Sequence, residues 1–135
     1  MRAVFADTAY FIALLNPRDQ FHQVALGLTK NADRALLTSH WVLAEVGDAF
    51  SHPRNRSKFS RLVAILESDP STQLLPPTLE QFQAGAVLHG RRLDKEWSLT
   101  DCISFGIMQQ LDLQEALTTD MHFEQAGFSA LMRSV

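Results

Sequence analysis

"RAVFADTAYFIALLNP", residues 2–17, decides the fold. Its first five residues are short, β-rich and apolar, as expected of a buried strand. Asp7 and Thr8, both good helix N-cap residues, follow, and "AYFIALL" then reads as a helix that stops at Asn16-Pro17, where proline biases the preceding residue away from helix. A strand that feeds a helix directly through Asp-Thr is the start of a βα unit, and the rest of the chain repeats it.

Phe21, Val24, Ala25 and Leu28 fall at the i, i+3, i+4, i+7 spacing of an amphipathic helix. "ALLTS" (35–39) is a buried-strand candidate and "HWVLAEVGDAF" (40–50) a helix. After a basic turn, Phe59, Leu62, Val63 and Leu66 repeat the helical spacing up to Asp69-Pro70, and "TQLLP" (72–76) is a brief strand that Pro76 and Pro77 terminate. A helix is predicted from about Thr78 to Lys95 with Leu79, Phe82 and Ala86 on one face, and another from Ser98 to about Leu113. "EALTT" (115–119) and "FSALMRS" (128–134) close the chain as two more strands, with Gly127 in the turn before the last. Strands separated by helices predict an α/β fold with a mostly parallel, helix-covered sheet.

At 135 residues, with no repeat or linker-like tract, the chain is expected to be one domain over 1–135. The 46% hydrophobic and 20% charged composition is that of a soluble globular protein. A lone cysteine, Cys102, can build neither a disulfide framework nor a cysteine zinc site, which fits a reducing cytosol and a cytoplasmic location. Asp7 interrupts the apolar N-terminus, and the apolar runs are too short to span a bilayer, so no membrane role is expected.

A net charge of −3 leaves no global footprint for a polyanion. Any nucleic acid must therefore be met locally, and two basic patches are candidates. "HPRNRSKFSR" carries Arg54, Arg56, Lys58 and Arg61; "HGRRLDK" carries Arg91, Arg92 and Lys95. Solvated helix ends are the plain alternative for each.

Of fifteen acidic residues, four sit among apolar or small neighbours: Asp7 after "VFA", Glu45 in "WVLAEVG", Asp101 in "SLTDCIS" and Asp120 after "ALTT". Parallel α/β sheets bind ligands beyond the carboxyl ends of their strands, where strand order reverses. Asp7 and Asp120 fall at that edge, and Glu45 and Asp101 lie toward the starts of helices that begin there. Gathered carboxylates repel unless a hard divalent cation neutralises them, and carboxylate and water oxygens suit Mg²⁺ or Mn²⁺. One or two such ions would serve an in-line phosphoryl displacement. Each acid except Glu45 also has a local explanation: Asp7 as a helix N-cap, Asp101 with Ser98 as an S-x-x-D capping box, Asp120 as a turn residue. Asp48 reads as a surface acid. His22, His40, His52, His89 and His122 show no ligand spacing and read as surface or supporting groups.

These residues resemble a family. "VFADTAYFIALL", "TSHWVLAEV", "SLTDCISFGIM" and "LTTDMHFEQAGF" are similar, in order and over nearly the whole chain, to the four motifs of PIN-domain proteins of the VapC toxin type. The resemblance implies a Rossmann-like three-layer sandwich with a parallel five-stranded sheet of order 3-2-1-4-5. It implies a Mg²⁺- or Mn²⁺-dependent endoribonuclease that cuts single-stranded RNA to 3′-hydroxyl and 5′-phosphate ends, a homodimer, and a small antitoxin partner. Asp7, Glu45, Asp101 and Asp120 would be the catalytic, metal-binding acids, with Thr8 and Thr118 as supporting hydroxyls. Ala9 replaces a small hydroxyl that many relatives have after Asp-Thr. His122 stands where some relatives place a further acid, which implies weaker binding of a second metal.

Two other readings are open to the same residues. A signalling receiver is also a parallel α/β domain with acids and Mg²⁺ at strand ends, but Asp7 has no adjacent acid, "TQLLPP" ends in prolines and "FSALMRSV" offers no Lys. A stand-alone nuclease, or a PIN-like module that holds RNA or protein without cutting, remains as the alternative within the family.

Overall fold

The computed structural model describes residues 2–31 and 33–133. Strand β1 (Arg2–Ala6) leads into α1 (Thr8–Leu15) and α2 (His22–Thr29). Next come β2 (Arg34–Ser39), α3 (His40–Ala49), a 3-10 turn at Pro53–Asn55, α4 (Arg56–Ser68) and β3 (Thr72–Leu75). The second half runs α5 (Leu79–Arg91), α6 (Leu99–Gln110), β4 (Glu115–Leu117), α7 (Met121–Gln125) and β5 (Ser129–Ala130).

The five strands form one parallel sheet in the order β3-β2-β1-β4-β5, as the motif resemblance implies. Receivers are built on the order 2-1-3-4-5, so that reading is excluded. β1 is the central strand, and its Val4, Phe5 and Ala6 are fully buried because helices cover both faces of a parallel sheet. The connections β1→β2→β3 and β3→β4→β5 cross the sheet in opposite directions, so right-handed crossovers place their helices on opposite faces. Helix α3 touches both α1 and α6 and so bridges the two helical layers.

Three expectations are corrected. Helix α5 ends at Arg91 rather than Lys95: Arg92 leaves helical geometry, and its guanidinium instead grips Asp94 with two bonds of 3.0 Å while stacking 4.7 Å over Trp97. The α5 face that carries Leu79 and Phe82 points outward, with Leu79 64% and Phe82 39% exposed. What α5 buries is Gly85, where a Cβ would lie 2.3 Å from Ile103 Cγ1 and 3.0 Å from Ile103 Cα, so α5 and α6 approach through their backbones. Periodicity weights large apolar residues and cannot register a contact made by the absence of a side chain.

The last two strands are shorter than "EALTT" and "FSALMRS" suggest. β4 stops at Leu117 because Thr118 turns its hydroxyl to accept the Asp120 N–H at 3.0 Å. A partner of three residues leaves β5 little to pair with, and the chain turns after Ala130; Ser134 lies outside the described residues. Gly127 takes a positive φ of 97° in the preceding turn, which only glycine adopts without strain.

Phe105 of α6 ties the second half together. Its ring meets Trp97 at 5.0 Å and Phe123 at 4.9 Å, both edge-to-face, and Phe128 at 5.8 Å. Trp97 Nε1 also donates to Gln125 at 3.0 Å, so α6, α7 and the turn into β5 are locked around one aromatic group.

Candidate active site at the switch point of the sheet

Strand order reverses between β1 and β4, and the backbones leaving those strands are joined there: Asp7 N donates to Leu117 O at 3.1 Å. The same pair of chain segments is joined by side chains, Thr118 Oγ1 donating to Asp7 Oδ2 at 2.8 Å. Asp7 stands at the N-cap position of α1, yet its side chain makes no cap bond and only 4% of it is exposed. The carboxylate reaches across the switch point to Thr118 while Asp7 keeps the N-cap position of α1.

Asp101 sits in the first turn of α6. The capping box is present, with Ser98 N donating to Asp101 Oδ2 at 3.1 Å and Asp101 N to Ser98 Oγ at 3.0 Å. It does not compete with a site role, because Asp101 Oδ2 also lies 3.0 Å from His122 Nδ1. Asp120 caps α7 by accepting from His122 N at 2.8 Å, and its Oδ1 lies 3.3 Å from the same Nδ1. One oxygen from each acid and a ring nitrogen of His122 therefore lie within 4.8 Å of one another.

Glu45 is reached by a different route. Thr8, the residue after Asp7, donates its hydroxyl to Glu45 Oε1 at 2.6 Å, which ties α3 to α1 beside the cluster. The structure thus joins Asp101 and Asp120 through His122. Asp7 couples to both through charge, and Glu45 is linked through Thr8 rather than falling within the tightest group. The Thr8 and Thr118 hydroxyls each donate to one of the candidate acids, Glu45 and Asp7 respectively.

Electrostatics mark the same place. Burial, reinforced by the charges of Asp101 and Asp120, pushes the Asp7 carboxyl up to about 7 against the hydrogen bond from Thr118. Burial also raises Asp101, with Asp120 adding repulsion and the His122 hydrogen bond opposing it. Among the described residues, the only basic side chain within 4.0 Å of the Asp101 and Asp120 carboxylates is His122, which is charged only when protonated. Buried acids short of positive charge, offering an oxygen-rich donor set, fit a divalent cation such as Mg²⁺ or Mn²⁺.

His122 is the site residue that spacing alone does not show, since it follows Asp101 by 21 positions. The legible signal was Asp120-x-His122 at a helix start, because a capping Asp that accepts the N–H two residues on brings that residue to its side. Of the basic residues, Arg54, Arg56, Arg61 and Arg91 are exposed and Lys58 is half-buried. Arg56 Nε donates to Ser51 O, and the Arg92 charge is matched by Asp94.

The family profile of the PIN domain matches residues 4–129. The chain belongs to the PIN-domain family. It is 29% identical over 126 residues to the 23S rRNA-specific endonuclease VapC20 of Mycobacterium tuberculosis, covering 93% of this chain and 95% of that protein. The crystal structure of M. tuberculosis VapC20, a Sarcin-Ricin loop cleaving toxin, matches with a TM-score of 0.85 at 26% identity, over 93% of this chain and 95% of the other. FitAcB from Neisseria gonorrhoeae matches with 0.64 at 20% identity over 94% of each chain. VapBC2 from Rickettsia felis, bound to a DNA fragment from their promoter, matches with 0.66 at 13% identity over 95% of this chain and 96% of that one. At those lower identities the last two speak for the fold alone.

Proposed function

We propose that this chain is a divalent-metal-dependent endoribonuclease that cleaves single-stranded RNA, the toxin of a type II toxin–antitoxin pair. The observation that carries the reading is the meeting of Asp101, Asp120 and His122 at the switch point of a PIN fold, with Asp7 held there by Thr118 and Glu45 fixed by Thr8. The extended match to VapC20 supports it.

Asp7, Glu45, Asp101 and Asp120 hold Mg²⁺ or Mn²⁺, one ion or two. When bound, the metal withdraws charge from the scissile phosphate and acidifies water, chemistry that a hard dication supplies in oxygen-rich sites. The chain's own part is to fix the donors. Thr118 orients Asp7, Ser98 orients Asp101 through the capping box, and Thr8 orients Glu45. Arg54, Arg56, Lys58, Arg61 and Arg91 are the groups available to an RNA backbone, with Arg92 reachable only by giving up its pairing with Asp94, in a protein whose overall charge would not attract one.

The antitoxin is assigned to an apolar cleft of about 630 Å³ lined by Phe11, Leu14, Leu28 and Ile65, with Lys58 and Arg61 at its margin. Arg34 also lines it, and its buried Nε and Nη1 have no hydrogen-bond partner among the described residues, so a partner segment offering acidic and apolar side chains is complementary. The outward face of α5, with Leu79, Phe82 and Val87, supplies the apolar surface for a homodimer. No described helix is long and apolar enough to cross a membrane. The lone cysteine, Cys102, is buried and unpaired to sulfur, which supports a reducing, cytoplasmic location.

The test is cleavage of 23S rRNA and of a generic single-stranded RNA with Mg²⁺ or Mn²⁺, wild type against Asp101→Asn. Loss of cutting in the variant supports the assignment. Equal cutting by both proteins points to a contaminant, and no cutting of any RNA by wild type favours the non-catalytic module.

A further inference from the structure

The place of His122 among the acids goes beyond a four-carboxylate site. Asp120 caps α7 through the His122 N–H, so the backbone fixes the histidine beside one acid, and its ring then folds toward another on α6. The resulting separations are 3.0 Å from Nδ1 to Asp101 Oδ2 and 3.3 Å from Nδ1 to Asp120 Oδ1. Neighbouring donors on an octahedral ion with bonds of ~2.1 Å lie ~3 Å apart. Nδ1 therefore stands from each carboxylate oxygen at the spacing of adjacent ligands of one cation, and one ligand atom from each of the three residues lies within 4.8 Å of the others, before any cation arrives. With its hydrogen on Nε2, the ring presents the Nδ1 lone pair to that point.

Resting on the nuclease reading of the preceding section, we infer that His122 is itself a metal ligand, completing a mixed nitrogen–oxygen donor set with Asp101 and Asp120 that biases the site toward Mn²⁺ over Mg²⁺. Mg²⁺ binds oxygen donors and parts reluctantly from its waters, whereas the transition metals accept imidazole with rising affinity along the first row. An acid at position 122 would keep the set all-oxygen and leave Mg²⁺ competitive. The histidine is thus a specificity-determining residue for the cation, and through the cation for the conditions under which the enzyme works.

The rival role is positioning: Nδ1–H simply holds Asp101 by a hydrogen bond. His122→Gln separates the two, because its amide can still donate to Asp101 but offers the metal an oxygen in place of nitrogen. His122→Asp restores the all-oxygen set.

Binding of Mn²⁺ is measured by electron paramagnetic resonance, and of Mg²⁺ by competition, in wild type and both variants. Pulsed measurements of the bound Mn²⁺ read ¹⁴N coupling from a coordinated imidazole. The expectation is ¹⁴N coupling in wild type that vanishes in both variants, and a Mn²⁺-over-Mg²⁺ preference that falls on the order of 10-fold in each, the scale of losing one well-placed group at a metal site. Mn²⁺ bound with no ¹⁴N coupling, or an unchanged preference, overturns the ligand role and leaves His122 as a positioning residue. Failure of wild type to bind Mn²⁺ at all, or binding that survives Asp101→Asn, overturns the nuclease site as well, so the two failures are told apart.

Discussion

Replacing Asp7 by Asn should stabilise the metal-free protein at neutral pH while abolishing its activity. Asp7 is 4% exposed, and its carboxyl is raised from 3.8 to about 7, first by burial and then by the charges of Asp101 and Asp120. Because the folded value lies above the unfolded one, the stabilising contribution is complete below about pH 4 and disappears as pH rises through about 7. A shift of ~3 units at ~1.4 kcal/mol each makes the ceiling about 4 kcal/mol. Asparagine carries no charge to bury and can still accept from Thr118. The variant should therefore match wild type near pH 4 and exceed it by up to that amount at pH 8. In a domain of this size 1 kcal/mol is worth roughly 3–4 °C, so thermal unfolding in chelator at pH 8 should show a gain of up to about 12–16 °C. Saturating Mn²⁺ should shrink the gap, since wild type gains ~2.7 kcal/mol from a ligand at 100 times its Kd and the variant gains less. An Asp7→Asn protein no more stable than wild type at pH 8 without metal would refute the claim that this carboxylate is buried against an unmet charge.

Other outcomes follow from packing and support. Gly85→Ala should cost about 1–3 kcal/mol in denaturant unfolding, the reverse of the ~1 kcal/mol gain usual for Gly to Ala in a helix, because the new methyl meets Ile103. Phe105→Ala should cost about 3–5 kcal/mol and weaken metal binding even where the protein remains folded, since the aromatic group sets α6 against α7 and so Asp101 against Asp120; unchanged metal affinity in the folded variant would count against this. Thr8→Val should lower kcat by roughly 10-fold with little change in melting temperature if its work is to hold Glu45, and an unaltered kcat would show the 2.6 Å bond to be incidental.

Much of this was readable from the chain because the signals were local. The change from a β-rich run to helical periodicity at Asp7, the Ser98–Asp101 spacing and the terminating Pro76-Pro77 each act within a few residues, and each element formed where they placed it. Glu45 stood out because a mid-helix acid among Trp41, Val42 and Ala49 lacks a local role, and its partner proved to be Thr8, 37 residues away. What stayed hidden depends on distance in space. The inward side of α5 is set by Gly85 meeting Ile103, and the place of His122 by α7 starting at an Asp cap opposite α6. The capping box read at Asp101 was also present, and Asp120, read as a plain turn residue, caps α7, so capping and site geometry are served by the same atoms.

The hydrogen bond between Thr118 and Asp7 spans 111 positions of chain. During synthesis, the first acid of the centre leaves the ribosome long before the strand and hydroxyl that orient it exist. A centre divided in this way cannot close during synthesis until the chain beyond Leu117 has emerged, so the nuclease stays unassembled through most of its own translation.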